Sequence, residues 1–266
     1  MRRTTLAALC LAAVATVGLT GCGEDKANTG TSHDSAGQKT AEKGKSSQEP
    51  KEEPFAGLTG GEIAEKAFEA TTGASSLRMT GEVPDDSTGG TIHVDLALNK
   101  RGECAGTMGL DGQGEAELIK TGDTVYMKYD EKFLRAQSKD EPEGDVDAAV
   151  ALLAGKWMKT SAEGPDAGDL TGFCDLDEVL GGAKDGDAEA TRGKATTIDG
   201  TPAITLEAQD GDDRFTLYVA TEGEPYLLRL DSTSPTDPGS LSFSDYDEPV
   251  PVEKPAGEVL DIDSLS

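Results

Sequence analysis

Four cysteines and two histidines are the residues of this chain best suited to nucleophilic, redox or metal chemistry. Their placement offers little for catalysis. His33 falls in a polar stretch without periodicity, and His93 alternates with Ile92 and Val94, on the polar side of a strand pattern. A Ser-His-Asp arrangement in the folded part would therefore rest on His93 alone. No Gly-x-Ser-x-Gly elbow, phosphate-binding loop or zinc-ligand spacing occurs. Paired acids at Asp85-Asp86 and Asp212-Asp213 could serve acid–base or calcium chemistry, but both sit beside turn residues, where Asp is favoured for backbone reasons. Asp210-Gly211-Asp212-Asp213 lacks the remaining ligands of a calcium loop. The expected catalytic residues, metals and cofactors are none, and the protein is read as a non-enzyme. The thiols remain, with acylation, pairing or ligation open to them.

The position of Cys22 points to the first of these. Met1-Arg2-Arg3 is basic, Leu6 to Leu19 is mostly apolar, and Leu19-Thr20-Gly21-Cys22 closes the run with small residues. A basic start, an apolar stretch short for a bilayer span and small residues at a cut site form a secretory signal. The tetrapeptide resembles the lipobox of bacterial prolipoproteins. That resemblance implies cleavage between Gly21 and Cys22 and two acyl chains on Cys22, and two chains anchor stably where one does not. The expected organisation is a signal peptide at 1–21, a lipid-anchored tether at 22–54 and one domain at 55–266. The tether is rich in Gly, Ser, Thr, Lys and Glu, with almost nothing to bury. The expected location is the extracytoplasmic face of the cell membrane.

Charge narrows the partners. Lys and Arg number 24 against 51 Asp and Glu, a net charge of -27. Loss of Arg2 and Arg3 leaves 22 against 51, or -29. Phosphate backbones repel such a surface, so nucleic acid is excluded as a partner. No protein partner can be named, and a monomer is expected. After loss of Cys10 with the signal and acylation of Cys22, Cys104 and Cys174 remain. Two cysteines in an exported domain most often pair; two buried thiols or a metal site are the alternatives.

The elements that position these residues follow from periodicity. Thr59 and Glu62 form a capping box, and Ile63, Ala64, Ala67 and Phe68 recur at helical spacing to about Gly73. The period then changes to two, with strands at 77–83, 92–98, 104–110, 115–121 and 124–129. Helical patterns return at 131–136, 145–154 and 166–180, the last with Leu170, Phe173, Leu176, Val179 and Leu180 facing inward; Trp157 and Met158 lie between in a short extended piece. Strands resume at 188–198, 201–208, 214–220, 226–231 and 241–246, joined by turns such as Asp199-Gly200 and Glu222-Gly223. Such hairpins make a large antiparallel meander with one apolar face, which the helices must cover.

Thr124-Val125-Tyr126-Met127-Lys128, Gly155-Lys156-Trp157-Met158-Lys159 and Phe243-Ser244-Asp245-Tyr246-Asp247 leading to Val250-Pro251-Val252 resemble the actinobacterial lipoproteins of the LppX/LprG group, similar in fold to the carrier LolA. The resemblance spans roughly residues 60–261. It implies an α+β fold: a strongly curved antiparallel sheet, a half-barrel, with helices on its concave face. It also implies a space between sheet and helices able to hold acyl chains of a lipid or lipoglycan. The lining positions expected from strand parity are Met79, Ile92, Val94, Leu96 and Leu98, then Met108 and Leu118, and across the second half Ile204, Leu206, Leu217, Leu228 and Leu230. For each, a plain core residue is the preferred reading. The competing expectation is a protein-interaction or sensory module with a solid core and an acidic surface.

Overall fold

The computed structural model describes residues 53–85, 90–164, 172–181, 189–234 and 238–265. The signal peptide, Cys22, most of the tether, Asp86 and Leu170 lie outside these. The expected helix at the domain start is α1 (Gly60–Gly73), and its capping box forms as read: the Glu62 amide donates to the Thr59 hydroxyl, and the Thr59 amide to the Glu62 carboxylate at 2.8 Å. The first meander is β1 (Ser76–Asp85), β2 (Gly90–Asn99), β3 (Cys104–Leu110), β4 (Gly114–Thr121), β5 (Thr124–Tyr129) and, after helices α2 (Glu131–Gln137) and α3 (Glu143–Leu153), β6 (Trp157–Ser161). Helix α4 (Leu176–Gly181) leads to the second: β7 (Glu189–Ile198), β8 (Thr201–Asp210), β9 (Asp213–Ala220), β10 (Leu227–Thr233) and β11 (Pro238–Ser244).

The two meanders fuse at their centre. β1 pairs antiparallel with β11, Met79 opposite Phe243 and Gly81 opposite Leu241, so the first and last long strands close one curved sheet. The chain thus runs outward from β1 to β6, crosses through the helices, re-enters at the far edge as β7 and returns to the centre. Its tail then reaches β6, where β12 (Val259–Asp261) adds a parallel edge and makes the twelve-stranded sheet mixed. A short 3-10 turn follows at Asp263–Leu265. Its Asp263 accepts from the Thr160 hydroxyl at 2.7 Å and from the Ser161 amide at 2.9 Å, and Lys159 pairs with Asp261 at 2.7 Å.

Alternation sends one side of every strand to the helices. Leu77, Leu96, Leu98, Leu206 and Val219 are essentially fully buried there, packed with Ile63 and Ala67 of α1. α1 lies over the second meander and is pinned at its C-terminal end, where the Thr71 hydroxyl accepts from the Leu227 amide at 3.0 Å, a buried bond. The Leu227 carbonyl accepts from Tyr246, whose ring stacks on Tyr226 at 3.9 Å. Burial pushes the Tyr246 hydroxyl up, and the bond to Asp247 pushes Tyr226 up to about 12.

Over the first meander the cover is held covalently. Cys104 and Cys174 are both fully buried and paired, Cα to Cα 5.1 Å, and Asp175 bridges to Asn99 beside them. Leu176 and Leu180 of α4 enter the core as expected. Phe173 does not: it is 39 % exposed, because Cys174 must face inward to meet Cys104 and its neighbour turns out. Helices α2 and α3 bury far less. Among their described side chains Val146 alone is buried, while Leu152 is 53 % exposed. The bridge spans 70 residues, and closing a loop of that size lowers unfolded-chain entropy by roughly 4 kcal/mol. Replacing both cysteines by serine should therefore lower unfolding free energy by about 2–5 kcal/mol, measured by urea denaturation of the domain with its tether removed.

Candidate functional site

The helix-covered face carries the lining positions expected from sequence, and the register brings them into one surface. Met79 stands opposite Leu96, Leu96 opposite Gly106, and Gly106 opposite Leu118. On the other side Leu241 faces Leu230, Leu230 faces Leu217, and Leu217 faces Leu206, with Ile204 beside Val219. Met79, Val94, Leu96, Leu98, Leu118, Ile204, Leu206 and Leu217 are buried members of the apolar cluster. Ile92, Met108 and Leu230 are half-buried and pack against it.

Leu228 is placed differently. A bulge between Leu227 and Arg229 puts Leu227 in the core beside Val219 and leaves Leu228 half-buried outside the cluster. The bulge adds one residue and so resets the alternation. Leu227 is the position that simple parity missed, and only the pairing register shows it.

Burial falls along the strands. On β2 the inward side chains run Leu98 0 %, Leu96 0 %, Val94 8 % and then half-buried Ile92. β3 runs from buried Cys104 to half-buried Met108 and Leu110, β11 from Phe243 to Leu241, and β9 from Val219 to Phe215. One end of the sheet is packed solid around the disulfide. The other carries a row of half-buried apolar side chains on successive strands, flanked by Tyr129 and Phe133, whose rings stack at 4.8 Å. Helix α2 meets the sheet there: a Cβ on Gly114 would lie 2.3 Å from the Phe133 amide nitrogen.

Two glycines interrupt this surface. Gly81 and Gly106 occupy inward positions where alternation would otherwise place a side chain. A Cβ at Gly81 would come within 2.0 Å of the Ser240 carbonyl oxygen, and at Gly106 within 1.9 Å of that of Asp95. The neighbouring strand's backbone takes the space, so no other residue fits without displacing it.

The opposite face has other chemistry. A cleft of about 490 Å³ there is lined by Thr80, Glu82, Thr91, Ser240 and Ser242, hydroxyls and a carboxylate ill-matched to hydrocarbon. A second, of about 400 Å³, lies where Pro249 to Pro251 of the tail meet Arg78 and Ala97. His93 is on this face as expected, between Asp111 (2.8 Å) and Glu82 (3.2 Å). The bond to Asp111 raises its pKa, and the Glu82 charge adds to the effect. Among the described residues no group of three His, Cys, Asp or Glu could hold a metal, and no helix is long and apolar enough to cross a membrane.

The architecture and its sheltered apolar face define an α+β open-sheet domain. LprF from Mycobacterium bovis has this fold, with a TM-score of 0.51 at 16% identity, covering 74% of this chain and 96% of that one. LppX from Mycobacterium tuberculosis is more loosely similar, with a TM-score of 0.45 at 15% identity over 72% of this chain and 97% of that one, too loose to argue from. No protein-family model and no curated protein sequence matches. The resemblance to the LppX/LprG group read from sequence is met at the level of the fold.

Packing and titration both give tests. Leu96→Ala, at the solid end, should cost about 2–5 kcal/mol, whereas Met108→Ala in the half-buried row should cost clearly less, compared by chemical denaturation. His93 holds its proton more tightly folded than unfolded. Its contribution to stability is therefore full below the unfolded pKa of about 6.5 and is lost as pH rises through the folded value. NMR titration should place His93 above 6.5, and a His93→Asn variant should lack the matching fall in denaturation midpoint.

Proposed function

We propose that this protein is a non-enzymatic lipoprotein, anchored by acyl chains on Cys22 at the extracytoplasmic face of the cell membrane, that binds a lipid or lipoglycan through its acyl chains between sheet and helices. The observation that carries the reading is the gradient of burial along the apolar face. A core meant only to be filled would be sealed at both ends; here Ile92, Met108 and Leu110 on one side of β1, and Leu230 and Leu241 on the other, stay half-buried. Hydrocarbon laid against that row leaves water at about 0.8 kcal/mol per methylene, so a single long chain supplies ample affinity. Helices α2 and α3, which bury little, can move without breaking the core. His93 supports the non-enzymatic reading, since two carboxylates occupy its ring nitrogens on the far face. The signal and Cys22 support the location.

Native mass spectrometry of the domain, purified without detergent from a related host, should show an additional mass that organic solvent removes and that proves to be lipid. Met108→Trp, which fills the row, should lower that occupancy at least threefold. A clean protein mass, unchanged after incubation with membrane lipids, would sink the proposal and favour the protein-interaction module.

A further inference from the structure

The end of the sheet where the described apolar side chains are least buried is also where the N-terminal chain joins it. Edge strand β7 begins there, and Arg192 donates to the Phe55 carbonyl at 2.9 Å and to that of Pro54. Phe55 and Leu58 pack against the core. Gly60, opening α1, lies so close to β7 that a Cβ would stand 2.2 Å from the Ala190 carbonyl oxygen. Residues 54–60 are thus fixed at this end by a guanidinium, two apolar side chains and a close backbone approach. The register puts the β8–β9 turn beside them, since Ala190 pairs with Ala208 and Asp210 with Asp213. Following the strands across, the same end carries Phe215, Leu230, Leu241, Ile92 and Met108. The disulfide, the Asn99–Gly102 turn and the Glu222-Gly223 turn lie at the other end.

We propose that the domain docks mouth-first on the membrane that holds its own Cys22 anchor, so that bilayer acyl chains pass into the half-buried row without crossing water. This rests on the cleft reading and on acylation of Cys22. The occupant of the mouth is the lipid surface, because the chain outside the described residues ends at this mouth. The roughly 31 residues from Cys22 to Glu53 cannot exceed about 110 Å even fully extended, which keeps the mouth near that surface. The contact is apolar rather than electrostatic: the adjoining β8–β9 turn carries Asp212 and Asp213, and the whole protein is strongly acidic.

The two ends of β9 provide the test. They are about 27 Å apart by strand rise, and the turns beyond them carry exposed Asp212 and Glu222. Donor dyes on Asp212→Cys or Glu222→Cys in the full acylated chain would be read against an acceptor dye in the headgroups of phosphatidylcholine vesicles. Cys104 and Cys174, buried and bonded, take no label. Transfer from position 212 should exceed that from 222 at least twofold. Equal transfer, or more from 222, would overturn the docking. Release from the vesicles with no transfer from either position, as when the chain's own acyl groups fill the cleft, would overturn it too. Lipid found on the tether-free domain by mass spectrometry without this asymmetry would overturn the docking alone; a lipid-free domain would overturn the cleft reading beneath it.

Discussion

Twelve strands present one apolar face, and the described helices match only part of it. That mismatch governs the rest of the structure. Among the described helices one of fourteen residues, α1, packs along the second meander, and a disulfide-held segment seals one end of the first. Toward the opposite end Ile92, Met108, Leu110, Phe215, Leu230 and Leu241 stay half-buried, so apolar contact with water is largest there.

Holding a partly covered sheet together requires strength elsewhere. The β1–β11 pairing joins strands more than 150 residues apart in sequence and makes the two meanders one body. The disulfide acts over 70 residues: it confines the unfolded chain and holds Cys174 and Leu176 against the floor without needing a long helix above them. The Thr71, Leu227 and Tyr246 contacts do the same at the far end of α1. The disulfide and the Thr71, Leu227 and Tyr246 contacts sit at the packed end of the sheet, while the β1–β11 pairing runs along it.

Local chemistry made much of this legible in the sequence. Thr59 and Glu62 announce α1, and alternation in Ile92 to Leu98 fixes both the strand and its inward face, because strand parity is a two-residue property. What parity could not reveal depends on pairing. The bulge that exchanges Leu228 for Leu227 exists only relative to β9. β12 has three residues, too few to show a period, and its parallel partner lies about 100 residues earlier. Phe173 turns outward because the adjacent Cys174 is committed to Cys104, a constraint that hydropathy does not encode. The role of Arg192 in fixing residues 54–55 appears only when β7 is at the edge beside α1.

The same mismatch bears on how a ligand could leave. A sealed cavity holding a long acyl chain at about 0.8 kcal/mol per methylene would release it very slowly, because the whole burial energy must be lost before solvent enters. A row that is already half-buried lowers that barrier, since hydrocarbon can withdraw from it stepwise. Helices α2 and α3 lower it further. Val146 is their sole buried side chain among those described, so displacing them exposes little new apolar surface. Elements of this low local stability are the ones expected to open while the packed core stays folded. On the proposed reading, access rather than affinity limits binding, and α2 and α3, which bury little, are the described elements that would yield first.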